Sequence, residues 1–177
     1  MHILLGVLAA AGALYFWLSR ARDAAHATRE LTDMATDVLG AARRFGFRRR
    51  ADQHPVESID EERLAGSALA IAFLEMGKFP TEEQKQTLLR SVQSTYGMDK
   101  PAAEEAMILG HWLVSECGTI DAAVSRLAKK LLRLGGQDAL NPVLEMVKGF
   151  TGDAGLSDKQ TDAVQEVARI FRRTGRS

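Results

Sequence analysis

The chain has 177 residues, 46% of them hydrophobic, with 23 basic side chains balanced by 23 acidic ones. That length holds one sizeable core and leaves no room for a second large domain, and the single cysteine, Cys117, cannot close an internal disulfide and suits a reducing cytoplasm. The first 57 residues carry 8 basic and 6 acidic groups, which leaves 15 and 17 for the remainder, so the bulk of the chain is mildly acidic and is not expected to bind nucleic acid.

The N-terminus is apolar. Ile3 to Leu18 contain no charged side chain and are followed at once by Ser19, Arg20 and Arg22. As a helix, Met1 to Leu18 would measure about 27 Å, close to the ~30 Å hydrocarbon core of a bilayer. Leucines and isoleucines in such a run each favour insertion by about 0.3 to 0.6 kcal/mol, and Tyr15 and Trp17 fall where an interfacial aromatic belt would sit. A cleaved signal peptide is the rival reading, but only His2 precedes the run where a positive segment belongs, and the small residues Ala9 to Ala13 lie inside it. The spacing therefore predicts an anchor over 1–18. Every Lys and Arg follows it, so the positive-inside rule places the N-terminus outside and the rest of the chain in the cytoplasm. The pairs Gly6 with Ala10 and Ala9 with Ala13 would let two such helices approach, which leaves a homo-oligomer open.

Residues 19–57 read as a basic, amphipathic juxtamembrane stalk and linker. Leu31, Met34, Ala35, Val38, Leu39 and Ala42 recur at helical spacing between Arg20 and Arg44, a weakly apolar stripe that needs a cover. The stretch then sets Arg43, Arg44, Arg48, Arg49 and Arg50 around Phe45 and Phe47. Close to an anionic leaflet each basic residue contributes about 1 kcal/mol, so these seven residues are the expected membrane-surface contact; a solvated basic linker that reinforces topology is the plainer reading. Asp52 to Ser58, with Pro55, reads as a linker.

The remaining 58–177 are expected to form an all-α bundle of about six helices. Ser58 with Glu61 looks like a capping box ahead of the apolar set Leu64 to Leu74, closed by Gly77. Thr81 with Gln84 repeats that pattern and opens a helix that runs to Gly97. Lys100 to about Cys117, Thr119 or Ile120 to Gly135, and Asp138 to Lys148 give three more, and Ser157 with Gln160 caps the last. Two junctions resemble one another: each is a helix end, a glycine turn, an apolar residue (Phe79 or Leu156) expected to seal the bundle end, and a capped helix start.

This twice-used turn resembles the helix junctions of the TerB-like family, which includes the tellurite-resistance TerB proteins and the N-terminal domain of DjlA-type membrane cochaperones. The family pattern is Asp-Gly, a spacer, an apolar residue, Ser or Thr, and a Glu three residues on. The first junction keeps Gly77, Phe79 and Thr81, with Met76 for the Asp and Gln84 for the Glu. The second keeps Asp153, Gly155, Leu156 and Ser157, with Ala154 inserted and Gln160 for the Glu. An anchor followed by such a domain is similar to the DjlA arrangement without a J domain, since His54 and Pro55 are followed by Val56 rather than Asp. The resemblance implies a bacterial inner-membrane protein with a role in envelope or metal stress. It also raises a divalent cation as an alternative ligand, with Asp153, Asp158 and Asp162 as the candidate carboxylates, although dipole-favoured acids at a helix start explain them more simply.

No catalytic pattern competes. His111, Glu116 and Cys117 share a predicted helix, but offsets of five and six do not place His111 on one face with the others as zinc would require. There is no phosphate-binding glycine loop, nucleophile elbow or paired-cysteine motif. The sequence thus points to a membrane-anchored interaction or scaffolding module with an unidentified protein partner, no cofactor and no enzymatic activity.

Overall fold

The computed structural model describes residues 38, 40–48, 50, 52–77 and 79–174. The expected anchor over 1–18, and most of the expected stalk helix, lie outside these residues. Among the described residues every regular element is helical, and no helix is long and apolar enough to cross a membrane.

Six α-helices follow in order: α1 (Glu62–Met76), α2 (Glu82–Tyr96), α3 (Lys100–Ser115), α4 (Ile120–Gly135), α5 (Leu140–Thr151) and α6 (Asp158–Thr174). Their starts are chemically marked. Thr81 and Gln84 form a reciprocal capping box, Asp99 accepts from the Ala102 amide, and Thr119 accepts from the Ala122 amide. The expected box at Ser58 does not form. Ser58 sits in a 3₁₀ turn, Pro55–Ser58, where its hydroxyl accepts from the Arg50 amide, and Glu61 opens α1 with no side-chain cap.

Helix α1 is the axis of the fold. It packs on α3, α4 and α5, while α2 lies on α5 and α6 on α4. Residues Leu64 to Leu74 are buried without a break, and two small residues make this density possible. A Cβ on Gly110 would come within 3.3 Å of the Ala68 Cα, and one on Gly66 would meet the Tyr96 hydroxyl. α1 and α3 therefore approach at backbone distance, and the Tyr96 ring lies over the bare face of α1. The outer helices α4 and α6 instead bury one stripe each, Val124, Leu127 and Leu131 on α4 and Val167 and Phe171 on α6.

The compact unit begins at Val38, twenty residues earlier than the boundary read from the sequence at Ser58. Ala41 and Phe45 join the core, Arg63 stacks over the Phe45 ring at 5.3 Å, and Phe47 meets Trp112 edge-on with centroids 5.8 Å apart. The apparent linker is also built in. Val56 and Ile59 are fully buried, His54 caps the 3₁₀ turn and reaches the Glu116 carbonyl at 3.2 Å, and Lys130 Nζ donates to the Glu57 carbonyl at 2.8 Å. Polar residues hide the two apolar ones in composition, and their side chains are spent on holding the segment against α3 and α4.

The two similar junctions lie at one end of the bundle, and they lock onto each other. The Gln84 side-chain amide donates to the Phe150 carbonyl at the end of α5, and that of Gln160 donates to the Phe73 carbonyl near the end of α1. Each capping glutamine thus satisfies a carbonyl of the helix that precedes the other junction. The apolar plugs expected there are absent: Phe79 is 94% exposed and Leu156 is 37% exposed, so polar cross-links hold this end together.

Candidate functional site

A cleft of about 860 Å³ runs along α4 toward α6 and the 3₁₀ turn. Positions Ala122, Ser125, Arg126, Lys129, Leu132 and Arg133 line it, and their spacing of three and four residues puts them on one face of α4. Ile170 of α6 and Glu57 of the turn complete the wall. Leu132 and Ile170 are half-buried and give the cleft an apolar floor, whereas Arg126, Lys129 and Arg133 are exposed along its rim.

The rim is not neutralised from within. Arg133 Nη2 is paired with Glu57 Oε2, but among the described residues neither Arg126 nor Lys129 has an ion-pair partner. Lys130, turned away from the rim and buried, is held at the Glu57 carbonyl, and burial pushes its ammonium below the usual lysine range, with Arg133 adding to the same effect. The arrangement can receive an acidic group with an apolar neighbour: charge attracts at long range, and Leu132 and Ile170 offer area to bury. It holds no acid, base and nucleophile in mutual contact.

Spacing alone does not single out these cations. Their signal was present, since Arg126, Lys129, Lys130 and Arg133 repeat at helical spacing opposite Val124, Leu127 and Leu131, but a cationic stripe on a helix looks the same whether it lines a cleft or faces open water.

Of the residues expected at a membrane surface, Phe45 is buried in the core and Phe47 is half-buried against Trp112, so neither aromatic is free to enter a bilayer. Arg43, Arg44, Arg48 and Arg50 are exposed, and Arg49 lies outside the described residues. Arg44 also makes an ion pair with Glu105 at 2.7 Å, at angles outside hydrogen-bond geometry.

Asp153, Asp158 and Asp162 are all exposed, and among the described residues no three His, Cys, Asp or Glu come together as a group that could hold a metal ion. His111 is directed across to α1, where Nδ1 pairs with Glu75 Oε1. Cys117 is half-buried, its thiol donates to the Leu113 carbonyl, and burial raises its pKa, which disfavours the reactive thiolate.

Comparison with protein families, with curated proteins and with solved structures finds no match to this chain.

Proposed function

We propose that this protein is a single-pass membrane protein whose TerB-like helical domain is a non-enzymatic interaction module, working on the cytoplasmic side in envelope or metal stress. The observation that carries the interaction role is the α4 cleft, where Arg126 and Lys129 stand unpaired above an apolar floor. Unpaired cations beside apolar surface suit an acidic, partly apolar protein segment. The membrane placement is supported by the uncharged run from Ile3 to Leu18 and by the arginines that follow it. Arg43, Arg48 and Arg50 remain exposed for an anionic leaflet, without the phenylalanines.

Crosslinking the full-length protein in its native membrane tests both halves. Capture of a defined partner should fall when Arg126 and Lys129 are both changed to Glu, and the protein should leave the membrane fraction when Met1 to Leu18 are deleted. Unchanged capture by the charge-reversed protein would remove the cleft from the account, and a full-length protein recovered in the soluble fraction would remove the anchor.

A further inference from the structure

The end of the bundle that carries both junctions is chemically opposite to the cleft. Phe79 projects there at 94% exposure with a φ of 45°, a backbone region that L residues avoid, and Leu156 is exposed beside the second junction. The exposed acids of this end, Glu83, Asp153, Asp158 and Asp162, have no ion-pair partner among the described residues, whereas its exposed cations Lys85 and Lys148 are paired with Glu82 and Glu145, which leaves Lys159 as the unpaired cation. The molecule therefore presents an acidic end with apolar tips, together with a cationic cleft with an apolar floor.

We infer that the cleft of one copy receives the Phe79 end of a second copy. Phe79 would cover Leu132 and Ile170, and Glu83 would meet Arg126 and Lys129. This rests on the reading of the cleft as a docking site for acidic, apolar segments, and it names this chain as the partner. Because knob and cleft are different surfaces, the contact is heterologous, and each added copy exposes a fresh cleft at one end and a fresh knob at the other. Copies tethered in one membrane would form open chains or rings.

The test uses the full-length protein in detergent, with mass measured by sedimentation. The parent should form species larger than dimers that grow with concentration, and raising salt from about 0.05 to 0.5 M should weaken association at least tenfold as the charges are screened. A knob variant, F79A with E83Q, and a cleft variant, R126E with K129E, should each fail to associate alone. Mixed in equal amounts they should form a dimer that does not grow, because one intact knob and one intact cleft remain. All four side chains are exposed, so melting temperatures near the parent's are expected. Exchanging Arg126 for Lys and Lys129 for Arg should preserve association. A parent that stays monomeric, a variant that associates as the parent does, or a mixture without dimer overturns the inference. If the cleft variant keeps its association but loses partner capture, the cleft reading stands and self-docking fails. If it instead loses binding to phosphatidylglycerol vesicles with association unchanged, the occupant is lipid and self-docking again fails.

Discussion

Phe79 and Tyr96 are two aromatic residues whose surroundings work against them. In register with the capping residues, Phe79 stands two positions before Thr81 just as Gly155 stands two before Ser157, and both have positive φ, 45° and 68°. Glycine meets that requirement without strain; a phenylalanine there costs about 1–2 kcal/mol, partly offset because a glycine makes the unfolded chain freer. With its ring in solvent, F79G should raise stability by about 0.5 kcal/mol in a urea titration, and a loss would show that the ring makes contacts that stabilise the monomer. The Tyr96 hydroxyl is buried without a hydrogen-bond partner among the described residues. Y96F should leave the protein as stable or more stable, by about 1 kcal/mol at neutral pH, since the lost group was desolvated and unpaired. Burial, reinforced by Glu62, holds the Tyr96 phenol well above its usual 10, so the unfolded chain ionises first as pH rises. The stability tied to the protonated phenol is complete below pH 10 and is lost as pH climbs from there toward the folded pKa. Lys130 acts with the opposite sign, because its lowered folded pKa makes stability rise as pH climbs toward 10.5. The difference between parent and Y96F isolates the tyrosine: the parent should lose stability above pH 10 relative to the variant.

At the scale of elements, the reciprocal glutamines are the most specific feature. Gln160 is buried, and besides donating to Phe73 it accepts from the Ser157 amide, so Q160A orphans a buried carbonyl and a cap together. A loss of about 2 kcal/mol is expected from those two terms, with a smaller loss of about 1 kcal/mol for Q84A, whose bond to Phe150 is longer and only partly buried. Urea titrations of the two single variants and of the double variant would also show whether the junctions act as one unit. Most helix boundaries are legible because caps are local chemistry: Thr81, Thr119 and Ser157 mark starts in the sequence itself, whereas the cap at Asp99 emerges only in the structure. Ser58 misled because it carries the same local signature, yet Arg50, eight residues upstream, takes its hydroxyl. A capping motif reports what a side chain can do nearby, and a tertiary partner can outbid it.

For the whole molecule, the boundary of the folded unit has a direct consequence. A chain that begins at Val38 should unfold in one cooperative step, whereas one that begins at Ser58 loses Ala41, Phe45 and Val56 from the core and the Glu57 contacts of Lys130 and Arg133. Deleting one buried phenylalanine alone costs about 3–5 kcal/mol, so the shorter chain should melt well below the longer one, or fail to fold. Equal melting curves would show that the segment adds nothing. Its composition reads as stalk and linker because arginines and a proline dominate it, whereas burial is decided by the few side chains turned inward.

The sequence by itself determined the helical class, the succession of six helices, the caps at Thr81 and Ser157 and the likeness of the two junctions, because helical periodicity and capping depend on neighbours within a turn or two. Tertiary structure decided what each face meets. It made α1 the buried axis, through the bare faces of Gly66 and Gly110, drew Phe45 and Val56 into the core, turned Phe79 out, and set Leu132 and Ile170 beneath Arg126 and Lys129. Those outcomes depend on residues tens of positions apart in the chain, and local spacing carries no record of which distant face a side chain will find.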